Sequence, residues 1–353
     1  MEEDYGALLH CAASSGHTGM VELLLSKGAP IEARNSSHET ALHCAASSGH
    51  TSTVELLLSK RASIEVTDKY SRTPLHCAAS SGHTGTVELI LSKGASIQTM
   101  GYGGYSGTPL HCAASSGHTS MVELLLSKGA SIGVMDRYTR TALHYAASGG
   151  HTLTVKLLLS KGASIETRNS SYETPLHCAA SSGHTDTVEL LLSKGASIEA
   201  TSYTGTPLHF AASSGHTITV KLLLSKGASI EAMINLGTPL QHAASNGHNG
   251  TVELLLSKGA AIEAMDSWGN TPLHDAVRNN RTSTVKLLIS KGASIAARNK
   301  KGETPLDIPT FYGRSDAQRV LQKKAAELES RGNIETVSRQ RQKQWGYTPI
   351  YSL

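Results

Sequence analysis

The sequence predicts an all-α repeat solenoid, and three observations carry that expectation. A four-residue block, Thr-Pro-Leu-His or a close relative, begins at residues 7, 40, 73, 108, 141, 174, 206, 238, 271 and 304, with successive spacings of 33, 33, 35, 33, 33, 32, 32, 33 and 33. Such a period marks stacked supersecondary repeats rather than two or three ordinary domains. Seven of the ten prolines and 16 of the 18 histidines hold fixed places in that period, so composition follows the repeat. Two Trp, eleven Tyr and two Phe in 353 residues are also too few for a set of conventional cores.

The third of these ten repeats shows why each element forms. Thr73 is a helix-capping residue, and Pro74 sits at the first helical position, where its missing N–H costs nothing. Leu75, Ala78 and Ala79 recur at helical spacing and predict one buried side, and Gly82 supplies the left-handed residue that ends this short helix. A second helix is predicted over Thr84 to Ser92, with Val87, Leu89, Ile90 and Leu91 as its apolar content and Gly94 as its stop. From Ile97 to the next threonine the helical pattern lapses. Turn residues such as Asp68-Lys69-Tyr70-Ser71 in the preceding repeat suit a projecting β-turn finger.

A turn and two helices in 33 residues, carrying Thr-Pro-Leu-His-x-Ala-Ala, resemble the ankyrin repeat. The segment TPLHCAASSGHTGTVELILSKGAS at 73–96 is similar to the ankyrin consensus across both helices, and the resemblance covers about residues 6–325. It implies a curved stack of helix-turn-helix repeats whose turns project as fingers and whose first helices line a concave groove. It also implies that His43, His76, His111, His144, His177, His209 and His274 hydrogen-bond near their own helix starts. The Gly-His histidines, such as His83 and His118, are expected to brace one repeat against the next.

The domain organisation expected is a lead over 1–5, an array over 6–330 whose last repeat is a cap, and a flexible basic tail over 331–353. Ala7-Leu8 replaces Thr-Pro in the first repeat, so the array is either poorly capped there or continues in a larger protein. Asp307 replaces the block histidine in the last repeat, Pro309 interrupts its first helix, and Gln318 to Glu329 reads as a polar capping helix. In the tail, Trp345 to Tyr351 is either a docking segment or disordered. Arg61 stands where other repeats have the helix-ending glycine, at a cost of about 1 kcal/mol that predicts local fraying.

Charge and cysteine content exclude several functions. Residues 1–312 carry 24 basic and 24 acidic side chains while 313–353 carry eight and four, so the body offers no basic stripe for nucleic acid. No apolar run reaches the length of a membrane span. The acidic start, without an apolar run behind it, and five cysteines in one repeated context suit a reduced, cytoplasmic or nuclear protein. Paired histidines such as His43 and His50 are about 10 Å apart along the chain's helices, and neighbouring repeats stack about 8 to 10 Å apart, so no metal is expected. No cofactor motif is present: the glycines at 101–107 lack the lysine of a phosphate loop. Adjacent His-Cys pairs diverge by about 100° on a helix, which argues against a nucleophilic site.

Binding is the function the pattern favours, by a monomeric array that docks a protein partner. Tyr70, Tyr102, Tyr105, Tyr138, Tyr172, Tyr203 and Trp268 fall in the predicted fingers, where water-facing aromatics are costly unless they pack or bind. On the first helices, Cys44 shares a face with Ser47 and Ser48, and the resemblance assigns that face to the groove floor. The floor changes in later repeats through Tyr145, Phe210 and His242 to Asp275 with Arg278 and Asn279. The competing reading is an enzyme or small-molecule receptor on that floor, with His242 as acid-base group, Asp275 as its orienting partner and Tyr145 beside them.

Overall fold

The computed structural model describes residues 2–102, 107–308 and 316–330. Tyr105, Pro309 and the tail at 331–353 lie outside the described residues. The chain divides into two compact units, Met1–Ser197 and Ile198–Leu353.

The first unit holds six helix pairs. They are α1 (Glu2–Ser14) with α2 (Thr18–Ser26), α3 (Ala41–Ser47) with α4 (Thr51–Ser59), and α5 (Pro74–Ser80) with α6 (Thr84–Ser92). These are followed by α7 (Pro109–Ser115) with α8 (Thr119–Ser127), α9 (Ala142–Ser148) with α10 (Thr152–Ser160), and α11 (Pro175–Ser181) with α12 (Thr185–Ser193). The second unit holds α13 (Pro207–Ser213) with α14 (Thr217–Ser225), α15 (Pro239–Asn246) with α16 (Asn249–Ser257), α17 (Pro272–Arg278) with α18 (Thr282–Ser290), and α19 (Asp316–Ser330). Within each unit, first helices pack on first helices and second on second, and α19 packs on α17 and α18.

Burial follows the predicted pattern. Leu75, Ala78, Ala79, Val87 and Ile90 are all fully buried, and their counterparts recur in each helix pair. No short helix could bury such a face alone, which is why stacking defines the fold. Helix α1 starts at Glu2 rather than after a lead, because no Thr-Pro block fixes its start near residue 7. Leu8, Met20 and Leu23 remain exposed on this first repeat.

The block histidines make the local structure rigid. His76 Nδ1 accepts the Thr73 backbone N–H at 3.1 Å, and the opposite ring nitrogen donates to the Gly107 carbonyl at 3.1 Å, tying the helix start to the next finger. His43, His111, His144 and His274 repeat both bonds. Two exceptions show what the position requires. Gln241 Oε1 accepts from the Thr238 backbone at 3.0 Å and its Nε2 donates to the Asn270 carbonyl at 2.8 Å, reproducing both halves. Asp307 has only oxygens, and accepts from the Thr304 N–H at 3.0 Å and hydroxyl at 2.7 Å.

A second layer of ties joins successive repeats. The Gly-His histidine reaches back to the preceding repeat, as in His83 Nε2 to the Ser47 carbonyl at 3.1 Å and His151 to Ser115 at 2.8 Å. Glycine is required beneath the ring: a Cβ on Gly49, at φ +76°, would sit 2.4 Å from His83 Nδ1. Arg281 replaces one such histidine, and its Nε donates to the Ser245 carbonyl at 2.9 Å. Threonine hydroxyls pair across repeats as well, Thr51 with Thr86 at 2.9 Å and Thr152 with Thr187 at 2.8 Å.

Arg61 takes the left-handed conformation at φ 70°. The helix end there makes the same bonds as at the glycine-capped helices, Arg61 N–H to the Leu58 carbonyl at 3.0 Å and Ala62 N–H to the Leu57 carbonyl at 3.0 Å.

Candidate protein-binding surface

The fingers are held by a short side-chain cradle. Asp68 Oδ1 accepts backbone N–H groups from Tyr70 at 2.8 Å and Arg72 at 2.9 Å, while its Oδ2 takes the Arg72 Nε at 2.7 Å. Asp136 does the same with Tyr138 and Arg140. Where the first residue is Asn, the residue four later is Glu, so the amide becomes the donor: Asn169 Nδ2 to Glu173 at 2.8 Å, and Asn299 Nδ2 to Glu303 at 2.9 Å. Asp266 with Asn270 is a third version. The cradle bends the next-to-last residue to positive φ, 57° at Ser71, 63° at Tyr172 and 79° at Gly269. The fingers one residue shorter close instead through bridges between Ser202 and Gly205 and between Ile234 and Gly237, and the longer one through Gly101 and Gly107.

Neighbouring tips are also bonded backbone to backbone. Tyr102 N–H meets the Tyr70 carbonyl at 2.7 Å, Ser170 the Tyr138 carbonyl at 2.9 Å, and Lys300 the Trp268 carbonyl at 2.9 Å. Aromatics therefore stand on fixed tips. Tyr70, Tyr138 and Tyr172 are exposed, each ring carrying a cation on its face: Arg72 at 5.3 Å, Arg137 at 4.5 Å and Arg168 at 5.9 Å. Those cations come from the ring's own finger. Tyr203 is 69% and Trp268 51% exposed, and the fingers around them add exposed Met233, Leu236 and Met265. These three aliphatics were missed by reasoning from the sequence. The available signal was their place beside or within the turn, where other repeats use Arg34, Thr67, Arg168 or Arg298.

The floor residues separate into different environments. Tyr145, in the first unit, is only 8% exposed, so it does not lie open on a groove floor. Its hydroxyl donates to Asp136 Oδ2 at 2.7 Å, the Arg140 guanidinium lies over its ring at 4.5 Å, and the His111 ring meets its edge at 5.5 Å. Burial alone would raise the Asp136 carboxyl, but Tyr145, Arg140 and the finger N–H groups hold it below the usual carboxylate range.

In the second unit, Phe210 is half-buried beside the His209 position, and the His242 ring meets His209 edge-on at 5.1 Å. His242 Nε2 is buried with no hydrogen-bond partner among the described residues, and burial pushes its pKa down to about 4. Asp275 turns instead to Gln241 Nε2 at 3.3 Å and Arg278 Nη1 at 3.1 Å. Burial pushes its carboxyl up to about 7, against the pull of Arg278. The acid-base pairing expected between His242 and Asp275 is therefore not formed. Arg278 also bonds Asn270 at 3.1 Å, so it locks the Trp268 finger to α17.

Among the described residues, no three or more His, Cys, Asp and Glu converge as metal ligands. Burial raises the thiols of Cys77, Cys112 and Cys178 to about 12, which keeps them protonated and poorly nucleophilic. No described helix is long and apolar enough to cross a membrane.

Comparison with known proteins agrees with this architecture. The family model for ankyrin repeats (3 copies) matches residues 9–101, 100–169, 165–234 and 240–331. The chain belongs to the ankyrin-repeat family. Among solved structures it is similar to the human ASB11 ankyrin repeat domain, at 30% identity and a TM-score of 0.56, over 62% of this chain and 97% of that one. No curated protein sequence matches it.

Proposed function

We propose that the protein is a non-enzymatic scaffold that docks a protein partner on its finger tips. Tyr70, Tyr138, Tyr172, Tyr203 and Trp268 are its anchors, joined by Met233, Leu236 and Met265. Ankyrin repeats are in general protein-interaction scaffolds, and the observation that carries the finer reading is the combination of exposed rings with fixed backbones. Ordering a loop on binding costs free energy that a preformed tip has already spent, so rigid aromatic tips favour tight recognition. The arginines over the tyrosine faces come from the same fingers and help fix the rings that a partner would meet. A cytoplasmic or nuclear setting suits the protonated, buried thiols.

The test uses the intact chain beside a variant with Tyr138, Tyr172, Tyr203 and Trp268 all changed to Ala, each as bait in lysate, read by mass spectrometry. A protein retained by the first and lost by the second supports the finger site. Identical retention by both baits, or none by either, refutes it.

A further inference from the structure

The fingers of the second unit differ from those of the first in charge. First-unit fingers carry Arg34, Lys69, Arg72, Arg137, Arg140 and Arg168. The stretches 198–206, 229–238 and 261–271, which lead into α13, α15 and α17, hold no basic residue. They carry Glu199, Glu231 and Glu263, the last two standing two residues before Met233 and Met265. Each glutamate accepts a backbone N–H of the next repeat through Oε1, from Ser229, Ala261 and Ser294 at 2.7 Å. None of the three has an ion-pair partner among the described residues. Met233, Leu236, Met265 and Trp268 stand in water on these same fingers. The neighbouring cations lie to either side. Arg298, Lys300 and Lys301 are on the following finger, the first two bonded to the Gly302 and Ser267 carbonyls. Lys226 and Lys258 end α14 and α16 in the row of second helices, where their counterparts Lys60, Lys93 and Lys161 reach back to a glutamate of the preceding second helix.

The same chain holds a segment of complementary chemistry. Residues 331–353 carry Arg331, Arg339, Arg341 and Lys343 against Glu335 alone. Arg339, Arg341, Lys343, Trp345 and Tyr347 occupy alternate positions, and an extended segment places alternate side chains on one face. Gln340, Gln342 and Gln344 fall on the other. An extended run from 339 to 347 would thus offer one face that is cationic and aromatic, and one that is neutral. The point of attachment is close to the acidic fingers. Helix α19 ends at Ser330 and packs on α17 and α18, and α17 follows directly from the finger of Met265 and Trp268. Residues 331–338 can reach about 26 Å when extended, against about 8 to 10 Å between neighbouring repeats.

We propose that the fingers of the second unit are a docking site for the chain's own segment 339–351. Its basic run pairs with Glu199, Glu231 and Glu263, while Trp345 and Tyr347 cover the side chains of Met233, Leu236, Met265 and Trp268. Charge and apolar complementarity select this occupant, because both halves of the patch find their counterpart on one face of one segment. The tether favours it further. A short flexible linker gives an effective concentration on the order of mM, so a contact too weak to hold a free peptide is populated within the chain. A partner would then have to displace the segment to reach these fingers. That last consequence rests on the finger-binding reading, whereas the contact itself stands without any partner.

The test uses the full chain with Trp268→Phe, which leaves Trp345 as its one tryptophan, and reads acrylamide quenching of its fluorescence with no partner present. Trp345 is expected to quench at least about threefold less than free N-acetyltryptophanamide, since the tethered contact is mostly formed. Adding Met233→Ser/Met265→Ser should bring quenching up to the free value. Adding Glu199→Gln/Glu231→Gln/Glu263→Gln, which keeps the acceptor oxygen for each N–H, should raise it too, and so should salt in the parent. All the changed side chains lie on the fingers, so circular dichroism should show every variant folded. The proposal is overturned if Trp345 quenches like the free compound, or if it is protected equally in the parent and both variants. It also fails if protection falls on dilution together with a dimer in sedimentation, which would assign the contact to a second copy. Because no partner takes part, failure here leaves the lysate test of the finger site intact, and failure of that test leaves this contact intact.

Discussion

The capping layer at the starts of the first helices and the finger tips obey opposite rules, although they are a few residues apart. In the capping layer the bonds persist even when the residue changes: Gln241 copies both histidine contacts, and Asp307 keeps the local one. At the tips the cradle persists while the side chain it presents varies from His38 to Tyr70, Tyr138, Tyr172 and Trp268. Repetition here reports what stacking requires. Variation reports what stacking leaves free, and that is where a partner can be read.

Acid should break the capping layer with the largest effect. Burial lowers His76 and His144 to about 4 and lowers His43, His111 and His274 too. Unfolded histidine titrates near 6.5, so between about pH 6.5 and 4 the unfolded chain holds more protons. Stability is therefore full above about pH 6.5 and is lost as pH falls toward 4, on the order of 3 kcal/mol for each deeply buried ring. Asp275 opposes this, because its raised carboxyl penalises folding as pH rises from about 4 to 7, but it is one group against five. A melting temperature that is flat from pH 7 to 4.5 would contradict the assignment.

His144→Ala should come next, costing about 3 to 5 kcal/mol in urea unfolding, since it leaves a cavity and strands the Thr141 N–H and Glu173 carbonyl. His144→Gln should cost less than about 1.5 kcal/mol, as Gln241 already shows the required geometry. Equal losses in the two variants would mean that ring packing, not hydrogen bonding, sets the position.

Tyr145→Phe sharpens the comparison from the floor side. It removes the hydroxyl from Asp136 and should cost about 1 to 2 kcal/mol, with the Asp136 carboxyl rising on NMR titration. An unmoved carboxyl would show that Arg140 alone holds it. Smaller still, Arg61→Gly should stabilise by about 0.5 to 1 kcal/mol by relieving its positive φ, visible as a raised urea midpoint.

Much of this was legible in the sequence because the repeat exposes it ten times over. Thr73, Pro74, Gly82 and Gly94 predict where helices start and stop, and the histidine bonds follow from the family pattern. Side-chain environments on the variable face were harder to read. Tyr145 occupies the register of Cys112, and only the fold brings Asp136, nine residues earlier, beneath its hydroxyl. His242 and Asp275 looked like a possible pair by position, but Asp275 finds Gln241 and Arg278 nearer at hand. Met233, Leu236 and Met265 read as ordinary apolar residues until the finger backbone places them in water.

The separation of roles is tested most directly by urea unfolding of the chain with Tyr138, Tyr172, Tyr203 and Trp268 all changed to Ala. If those side chains serve a partner and the fold is carried by the capping and stacking layers, the variant should unfold within about 1 kcal/mol of the parent. A loss beyond about 3 kcal/mol would show the tips to be structural and would contradict the account.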